Sequence, residues 1–142
     1  MNDTESLSHS VWDCKYRIVW IPKCRRKLLY GRIRKELGRV FHELARQRES
    51  KIHEGHLHGD HVHMYISIPP KYAVSAVIGQ MKQYTASRLR EKFVWLEKVY
   101  WNEPVVWSPG YFVSTVGLNE AQVMEYVKWQ AHQDSGQAKL DL

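Results

Sequence analysis

Two pieces of this chain carry side chains whose types and spacing can do chemistry. The first is Asp60-His61-Val62-His63-Met64-Tyr65-Ile66. In an extended strand His61 and His63 point to one face, and Val62, Met64 and Ile66 point to the other. Their Cα atoms then lie about 6.6 Å apart, a spacing at which two imidazoles can converge on one metal ion while the apolar alternates anchor the strand in a core. The triplet alone is a weak signal, since the chain has eight histidines and His56-Leu57-His58 repeats the form. If Gly59-Asp60 is a two-residue turn, His58 pairs with His61 and His56 with His63, so that four histidines share one face. A slip of one residue removes them. The plain reading of His53, His56 and His58 is polar residues on an exposed strand face. The second piece is Tyr126-Val127-Lys128-Trp129-Gln130. On a helix, positions i and i+4 share a face, so a phenol and a carboxamide stand together. Periodicity alone fits Tyr126 as a core aromatic with its hydroxyl at the edge. The other reading is a nucleophile that forms a covalent intermediate. With an ordinary pKa of about 10, such a phenol needs a base or a more reactive electrophile, and a divalent metal on a phosphoryl oxygen provides the latter.

The elements that must position these groups follow from the hydrophobic pattern. Residues 11–21 alternate, with Trp12, Cys14, Tyr16, Ile18 and Trp20 on one face and Asp13, Lys15 and Arg17 on the other, which predicts a strand. Pro22 ends it, and a basic loop follows over 23–27. Over 32–48 the period becomes helical, with Ile33, Leu37, Val40, Phe41 and Leu44 as the apolar stripe and Arg32, Lys35, Arg39 and Arg46 as a basic one. Strands are expected at 51–57 and 61–68, stopped by Pro69-Pro70, and a helix at 74–93 that buries Val74, Val77, Ile78 and Met81. Segments 101–107 and 111–116 read as a second hairpin around Ser108-Pro109-Gly110. Asn119, with Gln122 three residues on, caps a last helix reaching about 133. The order β-α-β-β-α-β(β)-α predicts an α+β, ferredoxin-like (split βαβ) antiparallel sheet, with helices on one face and an added C-terminal helix. Residues 1–9 read as a loose tail, 10–135 as a single domain and 136–142 as a polar tail.

Length and charge narrow the function. A chain of 142 residues buries about two-thirds of its unfolded surface, so one core suffices without disulfides or structural metal. No apolar run approaches the ~18 residues of a membrane span, and the polar, acidic N-terminus is not a signal peptide. Cys14 and Cys24 form no CxxC pattern and are expected as thiols in a cytoplasmic protein. The net charge is +6, yet residues 13–39 hold ten Lys/Arg against two acids, a local +8. Such a concentration fits a polyanionic partner, nucleic acid before membrane, or a solvated charged face. No Gly-x-x-x-x-Gly-Lys-Ser/Thr loop is present.

Taken together, these residues resemble a known family. His61-Val62-His63 with Tyr126-x-x-x-Gln130 is similar to the HUH single-tyrosine transposases of small bacterial insertion sequences, the TnpA type. The likeness spans nearly the whole chain. Tyr16-Arg17-Ile18-Val19-Trp20-Ile21-Pro22-Lys23-Cys24-Arg25-Arg26 resembles the family's opening strand and basic loop, and Lys82 with Thr85, Ser87 and Leu89 resembles its second helix. Trp107-Ser108-Pro109-Gly110-Tyr111-Phe112-Val113-Ser114-Thr115-Val116-Gly117 resembles the segment before its catalytic helix. Cys24 stands where an aromatic is common.

The resemblance implies one transposase domain with its catalytic helix at the C-terminus. It implies that His61, His63 and Gln130 bind magnesium or manganese, although histidine ligation by itself also suits zinc. It implies that Tyr126 attacks a DNA phosphodiester, giving a 5′-phosphotyrosine and a free 3′-hydroxyl that later rejoins strands. It further implies single-stranded DNA with subterminal hairpins as substrate, and a homodimer whose active site is shared between chains. Lys23, Arg25, Arg26, Lys27, Arg32, Lys35 and Arg39 are the expected phosphate contacts, and some of the tryptophans and tyrosines are candidates for base stacking. Two alternatives remain open at this point. One is a non-catalytic single-strand-binding module of ferredoxin-like fold. The other is a metal-binding protein built on His56, His58, His61 and His63.

Overall fold

The computed structural model describes residues 5–7 and 10–135. The polar tail expected at 136–142 lies outside the described residues. Chain order is β1 (Glu5–Leu7), β2 (Ser10–Trp12), β3 (Lys15–Trp20), a 3-10 turn (Lys23–Arg25), α1 (Gly31–Gln47), β4 (Lys51–His58), β5 (His61–Ser67), α2 (Val74–Lys92), a short helix α3 (Leu96–Val99), β6 (Phe112–Ser114) and α4 (Glu120–Asp134).

The main sheet has the order β4-β5-β3-β6, with every neighbour antiparallel. With α1 between β3 and β4, and α2 between β5 and β6, this is the split βαβ arrangement that the hydrophobic pattern predicts. Alternation on β3 and β5 decides what each face carries. Ile18, Trp20, Val62, Met64 and Ile66 join Ile33, Leu37, Phe41, Val77, Ile78 and Met81 from α1 and α2 in the larger core. The rings of Phe41 and Trp107 stand edge-on to Trp20 at 5.6 and 5.9 Å, a favoured aromatic geometry. The opposite face is covered by α4, whose Val123 and Val127 pack on Val19 and Ile21 in a smaller core. The sheet therefore separates a folding face from a face carrying the histidines.

Two sequence expectations change. The strand read over 11–21 is two strands. Ser10–Trp12 pairs with Glu5–Leu7, within the stretch 1–9 read as a tail, and Lys15–Trp20 enters the main sheet. Trp12 accordingly leaves the core face on which the alternation placed it. The strand read over 101–107 is absent apart from a single bridge between Pro22 and Trp107. Pro104 has no N–H for a ladder, and neighbouring amides are used locally: Asn102 N–H donates to Glu97 O (2.6 Å) and Glu103 N–H to Tyr100 O (2.9 Å). The segment is held by side chains instead. Trp107 Nε1 donates to Thr85 Oγ1 (3.0 Å), and Lys82 Nζ donates to the carbonyls of Ser108 (2.7 Å) and Gly110 (2.5 Å).

The β4–β5 turn is Gly59-Asp60, with His58 opposite His61 and His56 opposite His63. A Cβ at 59 would fall on the Tyr30 hydroxyl, so that exposed ring would have to swing aside. Asn119 and Gln122 form the expected reciprocal capping box at the start of α4.

Candidate active site

Four histidines share the α4-facing side of the sheet, and they are not equivalent. His56 and His58 are exposed, whereas His61 is buried and His63 half-buried. Rings 58 and 61 stack at 4.3 Å between centroids. Stacked imidazoles present faces to one another, not lone pairs to a common point. Among the described residues no group of three or more His, Cys, Asp or Glu side chains is arranged to hold a metal ion.

The inner pair is different. His61 Nδ1 donates to Asp60 Oδ1 (2.8 Å), while Asp60 Oδ2 accepts from Arg25 Nε (2.8 Å). Burial pushes the Asp60 carboxyl up, but the bonds from His61 and Arg25 outweigh it and hold the group below its ordinary range. The carboxylate thus fixes the His61 tautomer and leaves the Nε2 lone pair available, as oriented metal-binding histidines require. His63 Nε2 is buried with no hydrogen-bond partner among the described residues. Burial first, then the nearby Arg17 charge, lowers the His63 pKa and keeps the ring neutral. An orphaned, neutral imidazole nitrogen beside a carboxylate-oriented one fits a divalent cation. Arg17, Asp60 and the four histidines line a cleft of about 560 Å³, closed on the far side by Leu118, Glu120, Val123 and Met124 at the start of α4.

The nucleophile candidate lies on the other flank of α4. Tyr126 is half-buried between Phe112 (5.8 Å between centroids) and Trp129 (6.3 Å). It lines a separate cleft of about 580 Å³ with Tyr111, Phe112, Gln122, Glu125 and Trp129. Its hydroxyl donates to Gln130 Oε1 at 3.4 Å, a weak bond. Burial, then the nearby Asp134 charge, pushes its pKa up to about 12, so the resting group is a phenol. Gln130 Nε2 in turn donates to Asp134 Oδ1 (3.1 Å).

Asp134 is the anchor of this helix end. Its side chain is 2% exposed, and Lys23 Nζ lies 3.8 Å from Oδ1. The other oxygen accepts from Cys24 N–H (3.0 Å) and from the Ser108 hydroxyl. The 3-10 turn therefore holds both halves of the site: Cys24 binds Asp134 on the tyrosine helix, and Arg25 binds Asp60 behind His61. Both turn residues have left-handed backbones (φ 61° and 55°), a strained conformation for residues other than glycine.

Of the residues expected from sequence, the structure brings His61 and His63 together in one cleft and Tyr126 with Gln130 on α4, but Tyr126 lines a different cleft of the single chain and Gln130 is buried, lining neither. The basic residues divide as well. Arg26, Lys27, Arg32 and Lys35 are exposed. Lys23 and Arg25 are half-buried and engaged with Asp134 and Asp60, and Arg39 is bound to Glu36 (2.6 Å) and Glu43 (3.3 Å). Asp60 and Asp134 escaped the sequence reading, although Asp134 continues the i, i+4, i+8 spacing of Tyr126 and Gln130. Lys82, named from sequence only for its place in the second helix, is half-buried and lowered to about 8 by that burial against the opposing pull of Asp134. It pins the loop before β6.

Residues 10–130 match a family model described as Transposase IS200 like. The chain is 38% identical over 142 residues to the transposase of insertion sequence element IS200 from Salmonella typhimurium, covering all of this chain and 93% of the relative. It is 26% identical over 121 residues to the ISDra2 transposase TnpA of Deinococcus radiodurans, covering 84% of this chain and 86% of that one. Among solved structures, a transposase from D. radiodurans R1 superposes with a TM-score of 0.80 at 23% identity, covering 89% of this chain and 97% of the other. A REP-associated tyrosine transposase bound to a REP hairpin gives a TM-score of 0.54 at 13% identity, over 88% and 68%. These two share the fold.

Proposed function

Because the chain belongs to the IS200-like transposase family, we propose that it cleaves and rejoins single-stranded DNA at insertion-sequence ends through a 5′-phosphotyrosine on Tyr126. The observation that carries this reading is the pairing of an orphaned His63 Nε2 and a carboxylate-oriented His61 on one rigid strand with a phenol and a carboxamide on one helix. A non-catalytic binding module has no use for that set.

Tyr126 Oη attacks the phosphorus of a phosphodiester. The bond from phosphorus to the 3′-oxygen breaks, and that oxygen leaves as a 3′-hydroxyl once it has gained a proton. In the reverse step a 3′-hydroxyl attacks the phosphotyrosine and Tyr126 departs. Bond energy stays in the covalent link, so no nucleotide cofactor is consumed. At rest Gln130 Oε1 accepts the hydrogen bond of the Tyr126 hydroxyl; as Oη attacks, its proton passes to solvent water, and a solvent proton reaches the departing 3′-oxygen. His61, His63 and Gln130 would hold the magnesium or manganese ion. When bound, the ion supplies Lewis-acid polarisation of the phosphoryl oxygen, which a phenol with a pKa of about 12 needs.

Since Tyr126 and Gln130 both lie outside the histidine-lined cleft of their own chain, the reading includes a homodimer in which the tyrosine helix of one subunit brings both residues to the histidine pair of its partner. Hairpin DNA is the proposed recognition element, a REP hairpin being the ligand of one structural relative. Among the described residues no helix is long and apolar enough to cross a membrane, and the proposed place of action is the cytoplasm. Incubation with single-stranded DNA carrying the element's ends and magnesium, followed by denaturing electrophoresis, tests the activity. Cleaved strands that appear only with divalent metal support it. Intact DNA under all metals refutes it.

A further inference from the structure

The segment between α3 and β6 presents an aromatic residue that neither core uses. Trp101 is 68% exposed, and its backbone is left-handed (φ 53°), as is that of Asn102 (φ 63°). A bulky side chain in that region is an outlier that folding alone does not favour. The residue beside it is anchored, and one cation lies near the ring. Next to it, buried Tyr100 donates its hydroxyl to Lys23 O (2.9 Å), and the Arg26 guanidinium sits 5.8 Å from the Trp101 centroid. On the other side of α3, Trp95 is 49% exposed and 6.4 Å from Phe93, over which Arg32 lies at 5.7 Å. Residues 23–35 contain seven Lys/Arg and no acid. Glu97 and Glu103 belong to the tryptophan segment itself, so attraction for an anion comes from the 23–35 side.

We infer that Trp101, braced by Arg26, is a stacking platform for an unpaired base of single-stranded DNA, with the phosphate on the guanidinium side. An exposed ring with a cation beside it matches the two features of an unpaired nucleotide, a π face and an anionic link. The Tyr100–Lys23 bond ties this platform to the turn that also binds Asp134, so a strand seated there is registered against the tyrosine helix. The inference rests on the reading of the chain as an enzyme of single-stranded DNA, but its test uses DNA without a cleavage site.

The measurement is fluorescence anisotropy with a labelled oligothymidine and with its abasic counterpart, for the full chain, Trp101→Gly, Trp101→Phe and Arg26→Ala. Glycine suits the left-handed backbone, so Trp101→Gly should melt no lower than the parent chain while binding oligothymidine roughly tenfold more weakly. Trp101→Phe should recover most of the affinity. The parent chain should lose a similar factor on the abasic strand, and Trp101→Gly should no longer distinguish the two strands. Arg26→Ala should flatten the salt dependence by about 0.7 in slope, with Trp101→Gly leaving it unchanged. Affinity of Trp101→Gly equal to that of the parent overturns the inference. So does a parent chain that fails to bind oligothymidine, or a Trp101→Gly chain whose mass in solution changes while DNA affinity does not, since the ring would then pack on a second copy.

Discussion

Replacing Asp134 with alanine should loosen the tyrosine helix at its C-terminal end, and the structure sets the size of the effect. The carboxylate is almost fully buried and meets Cys24 N–H, the Ser108 hydroxyl, Gln130 Nε2 and, at 3.8 Å, Lys23 Nζ. Hydrogen bonds to a charged group contribute about 1.5–3 kcal/mol each, and a buried donor left without an acceptor costs about 1–3 kcal/mol. The surviving donors regain part of this from water, since the Lys23 side chain is 30% exposed. A net loss of about 3–4 kcal/mol is therefore expected, in the range for removing one partner of a buried pair. In a domain of this size that lowers Tm by roughly 10–15 °C. Asp134→Asn keeps the shape and one acceptor oxygen and should lose roughly half as much. Glu125→Ala, on the exposed side of the same helix, should stay within about 0.5 kcal/mol of the parent. Thermal unfolding by circular dichroism reads all three. A Tm for Asp134→Ala within about 3 °C of the parent chain would refute the anchoring role.

Metal titration of single alanine variants should show manganese affinity collapsing with His61 or His63 and changing little with His56 or His58; equal loss from His56→Ala would restore the four-histidine site. Asp60→Asn should weaken the same affinity by roughly tenfold through the orientation of His61, and an unchanged titration would remove Asp60 from that role. Glu36 has its carboxyl pushed down from 4.5 to about 2, chiefly by the hydrogen bond from Lys92 and against its burial, with Arg39 assisting. Its folded pKa is depressed, so its contribution is full above about pH 4.5 and is lost as pH falls toward 2; the stability gap between the parent and Glu36→Gln should narrow over that window, and a constant gap would contradict the pairing. Mixing Tyr126→Phe chains with His61→Ala chains should recover part of the cleavage activity if the site is shared, because one heterodimer site keeps both groups; no recovery from a confirmed heterodimer would place the nucleophile and the histidines in the same chain.

How far these features could be read from sequence depended on whether the signal was local. Gly59-Asp60 with histidines on both sides specified the hairpin register, and Asn119 with Gln122 specified the start of α4, since each is settled within a few residues. The 101–107 segment has a strand-like composition, but Pro104 and the amides bonded to Glu97 and Tyr100 keep it out of the sheet. The break at Asp13-Cys14 is hidden because the alternation continues through it. Tyr126, Gln130 and Asp134 lie on one helical face by spacing, yet nothing local shows that a left-handed turn more than a hundred residues earlier supplies the partner of Asp134. The basic cluster was visible, and the pairing of Arg39 with Glu36 and Glu43 follows from helical spacing, but the engagement of Lys23 and Arg25 depends on Asp134 and Asp60, which only the fold brings to them.

The central claim is that the Tyr126 oxygen becomes covalently joined to DNA. The direct measurement is mass spectrometry of the protein trapped on a single-stranded substrate with magnesium or manganese, comparing the parent chain with Tyr126→Phe. Phenylalanine keeps the ring between Phe112 and Trp129 and removes only the hydroxyl, whose one weak bond to Gln130 contributes about 1 kcal/mol or less. The account predicts a nucleotide adduct on the peptide containing Tyr126, with the DNA joined through its 5′-phosphate, and a Tyr126→Phe chain that folds and binds hairpin DNA but forms no adduct. An adduct on another residue, or cleavage at the parent rate by Tyr126→Phe, would contradict it.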